Sequence, residues 1–114
     1  MVRSVLFFVT LCTLAAGLAP AYALECGEAS WYAIRAQTAS GEMMNPDAMT
    51  AAHPNLPFGS KVWVVNQANG RGIFVTINDR GPFARKRIID VSRAAAEQLG
   101  FRRAGHTKVC ITQG

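Results

Sequence analysis

The stretch Val75-Thr76-Ile77-Asn78-Asp79-Arg80-Gly81-Pro82-Phe83 decides how the chain is read. With Ile73 before them, Val75 and Ile77 recur at every second position, the period of a half-buried strand. Gly81-Pro82 ends that strand, because proline has no N–H for a ladder and a fixed φ. Asp79 and Arg80 are left at its mouth. A carboxylate mounted at the end of a rigid strand beside a turn is well held and within reach of a ligand. Taken alone, the pattern is met more readily by an acid that pairs with Arg80 or caps the turn, so the surrounding chain has to decide.

Lys61 to Asn66 is β-branched and alternating, and Asn69-Gly70 is a tight-turn dipeptide. With Gly72 to Asn78 they predict a β-hairpin. Glu28 to Tyr32 has strand composition. Of the adjacent rings Trp31 and Tyr32, one is expected in the core and the other outward, where a carbohydrate binder would line a groove with it. Ala33 to Met44 reads as loop, Asn45-Pro46-Asp47 and Pro57-Phe58-Gly59 as turns, and Ala48 to Ala52 as a short apolar piece. Downstream, Ile88 to Val91 is a short strand. Ser92 then suits the N-cap of a helix over Arg93 to Leu99, with Gly100 at its C-terminal stop. Lys108 to Thr112 is the last strand. Short strands joined by Gly/Pro turns, with one helix, favour a small, mainly β barrel.

The 114 residues allow one domain. Met1-Val2-Arg3, the apolar run Val5 to Ala19 and Ala21-Tyr22-Ala23 read as a secretory signal peptide over residues 1–23, cut near Ala23. The run is short for a membrane span, which takes roughly 20 residues, so no stable membrane anchor is expected. Neither Cys12 nor Cys26 follows the small residue that lipidation requires. The domain then covers residues 24–114, in a periplasmic or secreted protein, and as a monomer. Without Arg3 the 12 Lys+Arg fall to 11 against 7 acids, a net charge of +4. That balance suits an anionic partner such as a wall polymer. Export and the lack of aromatic-basic interleaving argue against nucleic acid. Without Cys12, Cys26 and Cys110 remain, an even pair near the two ends of an exported domain, and read as a disulfide.

Three acids merit weighing: Glu42, Asp79 and Asp90. His53 and His106 stand alone and the cysteines are spoken for, so no metal site and no cofactor is expected. Ser40, His53 and Asp79 can be written as a triad, but no Gly-x-Ser-x-Gly elbow supports it. No glycine loop is built for phosphate. Arg85-Lys86-Arg87 reads as a solvated loop that would also suit the anionic groups of a cell wall.

Six blocks together resemble the rare lipoprotein A family. They are Ala29-Ser30-Trp31-Tyr32, Thr38-Ala39-Ser40-Gly41-Glu42, Met49-Thr50-Ala51-Ala52-His53, Leu56-Pro57-Phe58-Gly59, Asn78-Asp79-Arg80-Gly81-Pro82-Phe83 and Ile88-Ile89-Asp90-Val91-Ser92-Arg93-Ala94-Ala95-Ala96. Each is weak alone; in order and in register they are specific. The resemblance implies a six-stranded double-psi β-barrel with one or two short helices, a fold shared with expansins and barwin. It implies lytic transglycosylase activity on peptidoglycan glycan strands, with Asp79 at the catalytic position and His53 and Glu42 beside it. Asp90, with Ser30, Tyr32 and Arg80, would line the groove that holds the sugar.

One acid suffices for that reaction. Glycoside hydrolysis ordinarily needs a second carboxylate to attack or to activate water. In lytic transglycosylation the muramic acid's own C6 hydroxyl attacks its anomeric carbon, at high effective concentration. The alternative is a non-catalytic expansin-like module, or a barwin-like binding protein, that holds wall polysaccharide with the same carboxylates. The chain departs from the family after Tyr32: Ala33-Ile34-Arg35-Ala36-Gln37 is shorter than the usual loop and lacks its glycines, which predicts a trimmed groove wall.

Overall fold

A computed structural model describes residues 24–114; the expected signal peptide and its cleavage site lie outside the described residues. The elements in chain order are β1 (Glu25–Tyr32), β2 (Thr50–Ala52), β3 (Lys61–Asn66), β4 (Gly72–Asp79), β5 (Arg87–Ser92), α1 (Arg93–Leu99) and β6 (His106–Gln113). The strands close into one barrel in the order β1-β5-β2-β4-β3-β6, and β6 pairs back onto β1. Strands β1 and β5, and β2 and β4, run parallel; every other neighbouring pair is antiparallel. This is the mainly β, six-stranded barrel expected, with one short helix among the described residues.

Period-two patterning places the core. Val62 and Val64 of β3 point in, while Lys61 and Trp63 point out. Val75 and Ile77, Ile89 and Val91, and Val109 and Ile111 do the same on the other long strands, all essentially without solvent contact. Each such side chain contributes about 1.5–3 kcal/mol on leaving water. The expected hairpin is β3–β4, with Val62 opposite Val75 and Val64 opposite Ile73.

The helix seals the barrel with Ala95, Ala96 and Leu99, and Phe101 follows them into the core. Ser92 is its N-cap and accepts the Ala95 N–H at 3.1 Å. Gly100 stops it in the left-handed region at φ 82°, where a Cβ would be strained. The orphan carbonyl of Leu99 accepts from the side chains of Asn66 at 2.8 Å and Asn69 at 2.9 Å, tying the helix end to the hairpin turn.

Cys26 and Cys110 sit opposite one another on β1 and β6 and form the expected disulfide. It joins the first strand to the last. Strands β1, β5 and β6 all extend beyond the segments that composition marks. Polar positions such as Glu25, Arg87 and His106 are held in strands because neighbours across the barrel pair with them.

Candidate functional site

Continued strictly, the alternation Ile73, Val75, Ile77 would send Asp79 into the core. A β-bulge prevents this. Ala51 pairs with Ile77 and Ala52 with Asp79, so Asn78 is an extra residue on β4. The phase of the strand changes there: Ile77 stays inside, Asn78 is also buried, and Asp79 turns outward to a half-buried position. Bulges re-aim side chains in this way beside functional sites.

The Asp79 carboxylate is held at both oxygens. Oδ1 accepts the backbone N–H groups of Ala39 and Arg80, each at 2.9 Å. Oδ2 accepts the Tyr32 hydroxyl at 3.0 Å. Ala39 belongs to the turn over residues 38–41, which is laid across the end of β4, with the Ser40 N–H on the Asn78 carbonyl at 3.3 Å. Burial pushes the Tyr32 phenol well above the ordinary tyrosine value. Its hydrogen bond to Asp79 and the charges of Asp79 and Asp90 push the same way. Tyr32 therefore faces Asp79 as a neutral O–H donor at neutral pH. Trp31 takes the other direction, packing on the core and donating its indole N–H to the Arg102 carbonyl at 3.0 Å. The adjacent rings part as expected, with Tyr32 on the groove side.

Ala52 lies between two acids. It is opposite Asp79 on β4 and opposite Asp90 on β5. Paired strand residues share a face, so the carboxylates flank a methyl group, their Cα atoms about 10 Å apart across two inter-strand spacings. Asp90 accepts the hydroxyl of Ser30, its partner on β1, and meets the Arg87 guanidinium at 3.5 Å. Ser30, Tyr32, Asp79 and Asp90 thus form one polar band on the outside of the barrel. Against Asp79 lies a cavity of about 190 Å³ walled by Tyr32, Ile34, Ala36, Gln37, Thr38 and Met44. The short loop after Tyr32 still supplies part of the wall.

The structure does not bring the His53 ring to Asp79. His53 is buried, and its Nδ1 accepts the N–H groups of Asn55 and Leu56, both at 3.2 Å. That leaves the proton on Nε2, which meets the Glu25 carboxylate at 3.0 Å. The link to the acid is through the backbone: the His53 N–H donates to the Asp79 carbonyl at 3.1 Å. Arg80 also turns away. Its Nη1 donates to the carbonyls of Leu56 at 2.8 Å and His53 at 3.3 Å, and its guanidinium lies 4.0 Å over the Phe58 ring. Both residues fasten the 53–58 loop to the end of β4. Glu42 is exposed, and its contribution to the turn is its backbone: the carbonyl accepts the Thr38 N–H and hydroxyl, each at 2.7 Å, and the N–H donates to the Ser40 Oγ at 3.3 Å. His106 is on the surface, 3.4 Å from Glu28.

Sequence reasoning missed the Ala39 amide, Ala52, Glu25 and Phe58. The amide is invisible in a residue list, although the turn composition around it is not. Ala52 matters by being small. Among the described residues no three His, Cys, Asp or Glu side chains are grouped to hold a metal ion, and no helix is long and apolar enough to cross a membrane.

Comparison with known proteins gives a consistent picture. A family model described as lytic transglycolase matches residues 24–111. The endolytic peptidoglycan transglycosylase RlpA of Rickettsia typhi is 47% identical over 98 residues, covering 81% of this chain and 31% of that protein. The corresponding Neisseria meningitidis serogroup A protein is 49% identical over 92 residues, covering 78% and 38%. A probable RlpA of Nostoc is 57% identical over 74 residues, covering 65% and 20%. The chain thus spans well under half the length of these relatives. Among solved structures, Streptomyces papain inhibitor superposes with a TM-score of 0.67 at 24% identity, over 80% of this chain and 94% of that one. Apo expansin from Clavibacter michiganensis gives 0.67 at 18%, over 81% and 50%. At these identities the structural likeness speaks for the fold, a double-psi β-barrel.

Proposed function

The chain belongs to the lytic transglycolase family, and from that premise we propose that it cleaves peptidoglycan glycan strands by lytic transglycosylation, leaving 1,6-anhydro-muramic acid ends. The reading makes residues 24–114 the working domain of an extracytoplasmic protein, residues 1–23 its signal peptide, and the domain a monomer.

The observation that carries the reading is the unequal use of the two Asp79 oxygens. Oδ1 already accepts two backbone N–H groups. Proton traffic therefore belongs to Oδ2, beside Tyr32. Protonated there, Asp79 gives its proton to the glycosidic oxygen as the bond from that oxygen to the muramic anomeric carbon breaks. The C6 hydroxyl of the same sugar closes on the anomeric carbon, and its proton goes to Oδ2. The acid ends as it began and no water is consumed, so one carboxylate serves both steps. Tyr32, kept neutral, goes on donating to the second lone pair of Oδ2 and holds it in place. Asp90 and Ser30 hold sugar hydroxyls on the far side of Ala52. Glu42 meets bound glycan from the rim. His53 and Arg80 act as positioning residues through the 53–58 loop.

The test is product analysis. Purified sacculi are incubated with the protein and with Asp79→Asn, and released fragments are weighed. Anhydro-muramic ends from the unaltered protein alone support the reading. Free reducing muramic ends would mean hydrolysis instead. The fold it shares with expansin keeps a second reading in view, a non-catalytic wall-binding module; binding to sacculi with no fragments released would favour it.

A further inference from the structure

Beyond the acid and the sugar band, we propose that the groove continues into a carboxylate-binding subsite formed by Arg85, Lys86 and Arg87, which takes an anionic group carried on the same glycan strand. The proposal rests on the peptidoglycan reading above and adds to it a site for the substrate's charge.

A second β-bulge makes the connection. On β5, Arg87 pairs with Glu28 and Ile89 with Ala29, so Ile88 is the extra residue. Residues three apart on a regular strand face opposite sides. Here Arg87 and Asp90 pair with Glu28 and Ser30, which are two apart on β1, and so share a face. That is why Arg87 reaches Asp90 at 3.5 Å. The polar band containing Asp90 and Ser30 runs on without a step into a cavity of about 520 Å³. Ser30 and the chain from Ala84 to Arg87 line one part of it, and Gly105 and His106 another. A neighbouring cavity of about 560 Å³ shares Glu28 and Lys86 and adds Lys108.

The charge in this trough is only partly spent within the protein. Arg87 is matched by Asp90, and Glu28 lies 3.4 Å from His106. Among the described residues Arg85 and Lys86 form no ion pair. Lys86 sits in the left-handed region at φ 69°, unusual for a residue with a Cβ. Its carbonyl is fixed by the Glu28 N–H at 2.8 Å. The loop thus presents its cations from a fixed backbone, next to Ser30. Glycan strands of the wall carry carboxylates, on the lactyl group where the stem peptide is absent and on the peptide where it is present. Both supply the chemistry that the trough fits. A carboxylate held here would fix the register of the strand over Asp79.

The test is binding in an Asp79→Asn background, so that no cleavage intervenes. Soluble glycan strands are compared with the same strands after their carboxylates are converted to amides, at low and high salt. The variant is Arg85→Gln with Lys86→Asn; asparagine suits the left-handed backbone, so the loop is preserved. The Asp79→Asn protein should bind charged strands roughly tenfold more tightly than amidated ones at low salt, as expected for two exposed charge pairs. High salt should shrink that preference, and so should the double substitution. Strands stripped of stem peptides and strands that keep them, run in parallel, assign the source of the carboxylate. Equal binding of charged and amidated strands overturns the proposal, as does a double variant that keeps the full preference. Neither result bears on anhydro-end formation, which the sacculus assay reads separately.

Discussion

Tyr32 offers the most direct reading of the Asp79 environment. The perturbation is alkaline pH, and the readout is tyrosinate absorbance near 295 nm. Tyr32 is the one tyrosine of residues 24–114, so subtracting the titration of Tyr32→Phe removes the background and leaves Tyr32 alone. At pH 11 a tyrosine with its ordinary value near 10 is about 90% ionised. Tyr32 should be less than half ionised there, because burial, the hydrogen bond to Asp79 and the nearby Asp79 and Asp90 charges all oppose the phenolate. Burial is the largest of these causes. Asp79→Asn, which keeps the burial, should therefore lower the midpoint only part of the way towards 10. The same shift appears in stability. The fold favours the neutral phenol, so its contribution is complete below pH 10 and is lost as pH rises from there towards the folded-state value. Tyr32→Phe should flatten that alkaline loss, with circular dichroism confirming that the barrel persists across the titration. A wild-type midpoint near 10 would refute the arrangement, since the hydroxyl would then be free of Oδ2. A midpoint that falls all the way to 10 in Asp79→Asn would refute the ranking of causes.

Three further perturbations separate positioning from contact. Cys26→Ser or Cys110→Ser opens a cross-link between residues 84 apart in sequence; about 3–5 kcal/mol should be lost in the chain-entropy account, a fall in melting temperature of roughly 15–30 °C. Arg80→Ala strips donors from two loop carbonyls and a cation from the Phe58 ring and should cost about 2–3 kcal/mol in thermal unfolding. Arg80→Lys should recover little of it, for lack of the fork; unchanged melting with weakened glycan binding would instead place Arg80 against substrate. His53→Ala leaves two backbone N–H groups without an acceptor and should cost about 2–4 kcal/mol, whereas Glu25→Gln, at an exposed partner, should change melting by less than about 1 kcal/mol.

Much of the fold is legible because it rests on local chemistry. The β3–β4 hairpin follows from alternation and Asn69-Gly70, and the helix from Ser92 and Gly100. The cysteine pair follows from counting. The closure of the barrel is not legible this way: three-residue β2 has no strand signal of its own and exists because β4 and β5 pair with it on either side. The site is legible as a set of residue types and illegible as geometry. Tyr32, Asp79, Asp90 and Ser30 are found by motif, but the amide of Ala39 has no letter of its own. His53 and Arg80 lie in matching blocks for a reason the blocks do not state. Their side chains are turned to the 53–58 loop, with the Glu25 carboxylate and the Phe58 ring as partners.

The two bulges explain why polar chemistry exists on this barrel at all. A strand that obeys period two gives one face to the core, and here that face is filled by Val, Ile and Ala. Val75 and Ile77 would carry Asp79 inward with them, and no carboxylate is buried there without a large desolvation cost. One extra residue at Asn78 reverses the phase after the last core position, so the strand that anchors the core also presents the acid. The extra residue at Ile88 works at the opposite end of its strand: Ile89 and Val91 remain inside while Arg87 is turned to the face of Asp90. Both bulges occur in the parallel pairs of the barrel, β2 with β4 and β1 with β5. Asp79 and Arg87 are therefore set on one outer face by register shifts within the strands that also carry the core.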